Sequence, residues 1–132
     1  MFQKTIFKQS EREFGLECDL KDFWRDYYAI GLDSEKRILV YIKFDAEPEI
    51  QVTDLKDCVL VSQHQQKEEI QNGNRRSEII NYLGLQLKLQ KSHQQEIHLE
   101  FYNGDLFSDH QGEGPLVLKW KELIAQQLKK TS

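Results

Sequence analysis

The sequence predicts an α+β fold in which antiparallel strands come first and one amphipathic helix follows them. Three patterns predict it: apolar residues alternate around a turn within residues 27–44, alternate again within residues 79–102, and recur at helical spacing within residues 116–128. An apolar sheet face and an apolar helix stripe must be covered, and they can cover each other. We therefore expect an antiparallel sheet covered by the C-terminal helix, with a short helix before the first strand.

The clearest hairpin lies within residues 27–44. Both of its predicted strands, residues 27–32 and residues 38–44, carry apolar side chains on each face, so we expect each face to be at least half buried. The residues between them are charged or turn-forming, and Asp33 can accept hydrogen bonds from its own turn. This predicts two antiparallel strands joined by a loop of four or five residues.

The N-terminal residues predict a short helix and then an edge strand. An apolar stripe at helical spacing consists of Phe2, Ile6, Phe7 and Phe14. Gly15 follows this stripe and can end the helix as a left-handed cap. In residues 16–26 the apolar positions change phase before the hairpin, which indicates a short edge strand and a turn.

The middle of the chain predicts two strands and a polar loop. Pro48 marks a turn before a short strand at residues 49–52. Residues 58–65 begin apolar and become polar, as in a strand that leaves the core for solvent. Residues 67–77 are almost entirely polar, which predicts a solvated loop with a turn at residues 72–74.

A second hairpin and a loop follow. Residues 79–90 alternate as a long half-buried strand, residues 92–95 turn the chain, and residues 97–102 alternate as its antiparallel partner. The next segment, residues 103–114, is rich in glycine and aspartate, and we expect the apolar residues 106–107 to anchor this loop.

The final helix is predicted from Pro115, a favourable first-turn residue, to Lys129 and Lys130, whose charges suit a helix C-terminus. Its apolar stripe consists of Leu116, Trp120, Leu123, Ile124 and Leu128. We expect Trp120, Leu123 and Ile124 to pack on the sheet.

Length and composition limit the class of protein. The chain has 132 residues, which predicts one domain over residues 1–132, with a helical segment at residues 1–15 and the sheet and final helix at residues 16–132. Hydrophobic residues make up 39%, which excludes a disordered chain. The net charge of −4, with mixed signs, argues against nucleic-acid binding.

The cysteines and the N-terminus bear on localisation. Cys18 and Cys58 fit no zinc or redox spacing, which favours two reduced thiols and a reducing compartment. The N-terminal residues hold no apolar run long enough for a signal peptide or a membrane span. We therefore expect a cytoplasmic protein without membrane attachment. If a hydrophobic segment precedes this chain, we expect it at the cytoplasmic face of a membrane.

Four short motifs stand out at the ends and centres of these elements. They are Ile30-Gly31-Leu32-Asp33, Asp54-Leu55, Phe101-Tyr102-Asn103 and Trp120. With the order of elements over residues 27–128, they resemble a group of uncharacterised bacterial proteins with a pleckstrin-homology-like (PH-like) domain. The resemblance implies a strongly bent antiparallel sheet or partial barrel, closed at one end by the C-terminal helix. It implies no functional residue.

Two sets of residues are candidates for a metal site. The histidines are His64, His93, His98 and His110, and none has the spacing that places two imidazoles on one ion. The oxygen ligands are Asn103, Asp105, Asp109 and Glu113, and their order lacks the alternation, the sixth-position glycine and the twelfth-position glutamate of a calcium loop. We expect surface or turn histidines, and neither a metal nor another cofactor.

Two further patterns have plain structural explanations. Cys58 opens an apolar strand, where a thiol behaves as a small apolar side chain. Gly104, Gly112 and Gly114 lie between a strand and a helix, but the Gly-Lys-Ser/Thr of a phosphate loop is absent from the sequence.

A small basic patch could in principle meet a phosphoinositide head group. Its basic residues are Lys67, Arg75 and Arg76, and the acidic residues that flank them are Glu68, Glu69 and Glu78. We expect the glutamates to cancel most of this charge.

Two classes of function remain. We favour a non-catalytic module that binds a protein or peptide partner, because no catalytic set of residues is visible. The alternative is a small-ligand or lipid-head-group site, or a minor enzyme, in a pocket of a half-open barrel. Residues 49–52 and 58–65 predict unpaired sheet edges, where a partner or a second copy could add a strand. The competing explanation is that the polar residues 63–66 only keep the edge soluble.

Overall fold

The computed structural model describes residues 2–90, 96–107 and 112–129. These residues form an α+β structure with two antiparallel sheets and two α-helices. The chain divides into two compact units, Met1–Lys56 and Asp57–Ser132, and each unit has its own sheet. The expectation of one domain over residues 1–132 stays a prediction.

The first unit consists of one helix and a four-stranded sheet. Its elements are α1 (Phe2–Phe14), β1 (Leu20–Trp24), β2 (Tyr28–Asp33), β3 (Ile38–Phe44) and β4 (Pro48–Asp54), followed by a 3-10 turn at Leu55–Asp57. All pairs are antiparallel, in the order β1-β2-β3-β4. The hairpin of β2 and β3 and the edge strand β1 confirm the sequence predictions, and β4 is longer than predicted at both ends.

Helix α1 ends at Gly15, as predicted. Gly15 has a φ of 67°, its N–H donates to the Arg12 carbonyl oxygen at 3.3 Å, and the Leu16 N–H donates to the Glu11 carbonyl oxygen at 2.7 Å. This pair of hydrogen bonds is a Schellman cap, which needs a residue that tolerates positive φ.

The predicted apolar stripe of α1 is wrong at its two ends. Phe2 is 63% exposed and Phe14 is 48% exposed, whereas Phe7 is buried. The core of this unit takes only Ile6 and Phe7 from the helix, because the helix packs over the sheet through its middle turns. The buried members of that core are Phe7, Leu16, Cys18, Ala29, Val40, Ile42 and Phe44.

The second unit consists of a three-stranded sheet and one helix. Its elements are β5 (Cys58–Asn72), β6 (Arg75–Leu89), β7 (Glu96–Asn103) and α2 (Glu113–Lys129). The order is β5-β6-β7, all antiparallel, and α2 contacts all three strands. The pairing of β6 with β7 confirms the second hairpin. The turn predicted at residues 92–95 lies outside the described residues, as do His93, Asp109, His110 and Lys130.

The solvated loop predicted at residues 67–77 is wrong. These residues continue β5 and β6 as a two-stranded ribbon, joined by a tight turn in which Gly73 has a φ of 67°. The position of the turn agrees with the prediction. The ribbon lacks the apolar alternation of a half-buried strand because both of its faces are exposed, so its residues look like a loop in the sequence.

Helix α2 covers the sheet of the second unit through its buried side chains. Trp120, Val117 and Ile124 are fully buried, which agrees with the prediction for Trp120 and Ile124. Leu123, the third residue predicted to pack on the sheet, is partly buried. The predicted anchors of the preceding loop behave differently: Leu106 is 50% exposed, whereas Phe107 lies beside Tyr102 with ring centroids 6.4 Å apart. Leu106 is therefore not an anchor.

Candidate functional site

Among the described residues, β5 has a hydrogen-bonded neighbour on one side only. It pairs with β6 over its whole length, and β7 lies beyond β6. The outward N–H and C=O groups of an edge strand are available to an added strand. Strand β4 has the same position in the sheet of the first unit. The two segments predicted as edges, residues 49–52 and 58–65, therefore belong to edge strands of their sheets.

The two edges differ in how well they resist an added strand. Strand β4 has 7 residues and begins with Pro48, and short length and proline both protect an edge. Strand β5 has 15 residues and no proline. The edge of β5 is therefore the more open of the two.

The backbone of β5 is regular from Leu60 to Asn72. Each of these residues has one partner in β6, and the two irregularities of the pairing place an extra residue, Val59, in β5 and another, Asn81, in β6. A continuous extended strand can therefore pair with this stretch without a bulge of its own. We call Leu60 to Asn72 the open edge.

Where β6 pairs with β5 but not with β7, the open edge is part of the exposed two-stranded ribbon. Lys67 Nζ lies 3.5 Å from Glu78 Oε2, and Arg76 Nε lies 3.6 Å from Glu69 Oε1. Such exposed pairs contribute about 0 to 1 kcal/mol to stability. They place a glutamate beside Lys67 and beside Arg76, as expected if the glutamates offset the charge of the predicted basic patch.

Three aromatic side chains meet on one face of the sheet beside the open edge. The ring centroid of His64 lies 5.6 Å from that of Tyr82 and 6.2 Å from that of His98. His64 pairs with Gly84 of β6, which pairs with Glu100 of β7. Because Gly84 has no side chain, the rings on the flanking strands can approach each other above it.

Sequence reasoning missed this cluster, because it depends on the register of three strands. That register includes a bulge between Leu83 and Gly84 in the pairing of β6 with β7. The available signal was the placement of two histidines and one tyrosine in the polar phase of three neighbouring strands.

The three side chains of this cluster can support only a few kinds of chemistry. Burial, and then the negative charge of Glu100, raise the pKa of Tyr82 to about 12, so its phenol stays protonated near neutral pH. His98 Nε2 lies 3.8 Å from Glu96 Oε2. Within residues 2–90, 96–107 and 112–129, no group of three or more histidine, cysteine, aspartate or glutamate residues is arranged to hold a metal ion.

One of the oxygen ligands considered for calcium, Asn103, has a structural role. Asn103 Oδ1 accepts a hydrogen bond from the Asp105 N–H at 2.9 Å, which closes a turn. The N–H of Gly104 donates to the Asn81 carbonyl oxygen at 2.6 Å, which connects this turn to β6. Glu113 is buried at the start of α2, and Asp109 lies outside the described residues.

Both cysteines are free and buried. Burial raises the pKa of Cys58, and burial followed by the charge of Glu11 raises that of Cys18 to about 12. The Cys58 thiol also donates to the Leu60 carbonyl oxygen at 3.4 Å. A thiolate is disfavoured at either position, as expected for cysteines that pack as small apolar residues.

A groove of about 470 Å³ lies in the first unit between the end of α1 and the turn after β2. Some of its polar groups bond to one another. Asp33 accepts hydrogen bonds from the N–H groups of Glu17, at 2.9 Å, and Lys36, at 3.0 Å, and Lys36 Nζ donates to the Gly15 carbonyl oxygen. These contacts hold the two sides of the groove together.

Comparison with known proteins adds no assignment. No family model matches the chain, and no curated protein or solved structure matches it. In the part of the chain that the structure describes, neither helix has the length and apolar character needed to cross a membrane.

Proposed function

We propose that the protein is a non-catalytic binding module that takes up an extended polypeptide strand along the open edge of β5. The observation that carries this proposal is the regular, proline-free stretch from Leu60 to Asn72 with pairing on one side only. An added strand would satisfy the outward backbone groups, and the flanking side chains would select the sequence that binds.

The partner strand that fits the open edge best is the open edge of a second copy of the chain. Two antiparallel copies of one edge are related by a two-fold axis, and residues that face each other must point to the same side of the joint sheet. Centred on Gln66, the midpoint of the open edge, this arrangement pairs Leu60 with Asn72 at both ends. The whole regular stretch is then used.

The side chains favour the same centre. With Gln66 on the axis, His64 faces Glu68 and Gln65 faces Lys67, and each contact occurs twice. A centre at Lys67 would place two lysines opposite each other, and a centre at Glu68 would do the same with two glutamates. Like charges directly opposite are destabilising in an antiparallel pair.

The register can be tested at the axis. Gln66→Glu and Gln66→Lys each place like charges opposite each other, so each should weaken self-association, measured by analytical ultracentrifugation, by up to about fivefold. An equimolar mixture of the two variants places opposite charges at the axis and should restore association. The matched control is Gln71→Glu, because Gln71 is equally exposed in the ribbon but faces Val61 in this register.

A wild-type chain that stays monomeric at all concentrations would contradict the self-pairing. Association that is insensitive to both Gln66 substitutions, or that the mixture does not restore, would contradict the register.

We also propose the finer PH-like fold, with a strongly bent sheet or partial barrel closed by the C-terminal helix, in a bacterial cytoplasmic protein. Its support is the order of the elements: four antiparallel strands, three antiparallel strands and then a helix whose Trp120 is buried. The two free cysteines support the reducing compartment. An experimental structure tests the fold, because a PH-like domain requires one continuous core shared by both sheets.

A further inference from the structure

A second candidate site lies in the first unit, between α1 and β1. It is a cleft of about 280 Å³, which is just below the usual range for ligand sites and suits only a small ligand. Its lining consists of Lys4, Phe7, Lys8, Lys21 and Phe23. Three cations therefore surround an aromatic floor.

The positive charge of this cleft is only partly neutralised. Lys4 and Lys8 are exposed and form no ion pair with the other residues that the structure describes. Lys21 Nζ lies 3.4 Å from Glu11 Oε1 and 5.6 Å from the ring centroid of Phe7. One glutamate thus offsets one of three lysines, in a chain whose net charge is −4.

The lysines occupy positions that do not favour the helix. Lys4 lies in the first turn of α1, which holds no acidic residue, and the positive end of the helix dipole repels a cation there. Lys4 and Lys8 are also four residues apart, where like charges destabilise a helix. Local arrangements that lower stability without a compensating contact are typical of functional sites.

The floor of the cleft offers an apolar surface beside these charges. Phe7 is buried and Phe23 is partly buried, and their rings meet edge to face with centroids 5.4 Å apart. Phe7 is almost fully buried, so the accessible part of this floor is Phe23. A small aromatic or aliphatic group can pack against Phe23 while its anionic end reaches the lysine ammonium groups, which bind phosphate as mobile point charges.

We propose that this cleft binds a small phosphomonoester, with the phosphate near the three lysines and its apolar part on Phe23. A phosphomonoester carries nearly two negative charges at neutral pH, which suits the two unneutralised cations. The cleft and the open edge of β5 share no residue, and this proposal does not depend on the function proposed for that edge.

The test is a titration of the full chain with phenyl phosphate, followed by ¹⁵N NMR. We expect saturable shifts in α1 and β1, and weaker binding of phenol and of inorganic phosphate, since each lacks one half of the recognised chemistry. The double variant Lys4→Gln and Lys8→Gln should weaken phenyl phosphate binding by about tenfold or more. The charge-matched control, Lys88→Gln and Lys121→Gln, removes two lysines outside the cleft and should bind as the wild type does.

Equal affinities in the wild type and the cleft variant would overturn the proposal, and so would an equal loss in the control. A second experiment, with lipid vesicles, identifies the source of the phosphomonoester. Co-sedimentation with vesicles that contain phosphatidic acid, lost in the cleft variant, would assign a lipid head group. Phenyl phosphate binding without co-sedimentation would assign a free molecule.

Discussion

The ring of Phe7 occupies the space that a side chain at Gly31 would need. A Cβ built at position 31 would overlap Phe7 Cζ and would lie 3.1 Å from the sulfur of Cys18. Helix α1 can therefore pack closely on the centre of its sheet only because β2 has no side chain there.

Gly31→Ala should lower the free energy of unfolding by about 1 to 3 kcal/mol, because the added methyl group must displace a buried ring or the helix. Chemical denaturation measures this. The control is Gly114→Ala at the start of α2, where a Cβ meets no atom within 4 Å and where alanine favours the helix. If both substitutions have the same effect, α1 does not pack on β2 as described.

Trp120→Ala should lower the free energy of unfolding by about 3 to 5 kcal/mol, because it leaves a cavity between α2 and its sheet. The side chain is fully buried. Leu118 lies on the same helix and is 56% exposed. Leu118→Ala should therefore change the free energy of unfolding by less than about 0.5 kcal/mol. A thermal melt that barely moves with Trp120→Ala would show that α2 is not docked.

Asp33→Asn should lower stability by about 1 kcal/mol at neutral pH, since the carboxylate accepts two backbone hydrogen bonds. These hydrogen bonds, from Glu17 first and then Lys36, lower the pKa of Asp33 from 3.8. A depressed folded-state pKa gives stability that is fully present above the unfolded value and is lost as the pH falls through the folded value.

The difference between wild type and Asp33→Asn should therefore be constant well above pH 3.8 and shrink below it. Urea denaturation across this range checks the sign. Glu35→Gln, an exposed position in the same turn, is the control. A difference that grows in acid would contradict the role of the carboxylate.

Lys4→Glu should raise the stability of the first unit and abolish phenyl phosphate binding. The glutamate would interact favourably with the helix N-terminus and with Lys8, adding about 0.5 to 1 kcal/mol to the free energy of unfolding. Calorimetry and the NMR titration measure the two effects separately. A variant that loses stability would show that Lys4 has a structural partner.

The sequence predicts those elements whose signal is local. The hairpin of β2 and β3 is visible because apolar residues alternate on both sides of a polar turn, and Asp33 bonds within that turn as its position suggests. The cap at Gly15 is equally local, since a glycine after an amphipathic helix has few other uses.

The features that the sequence does not reveal depend on pairing between distant residues. The ribbon of β5 and β6 is polar on both faces, and its order comes from backbone pairing and from contacts such as that between Lys67 and Glu78. The cleft at Lys4 and Lys21 exists only because α1 docks beside β1. Such contacts carry no periodic signal in the chain.

The most direct measurement of the strand-binding proposal uses a cysteine at the predicted two-fold axis. In an antiparallel pair, residues directly opposite have Cα atoms about 4.5 to 5.5 Å apart, which is within reach of a disulfide. Gln66→Cys should therefore form a covalent dimer rapidly under mild oxidation, whereas Gln71→Cys, equally exposed but distant from its copy, should not. Equal rates for the two variants, or no dimer from Gln66→Cys, would contradict the pairing of β5 with a second copy.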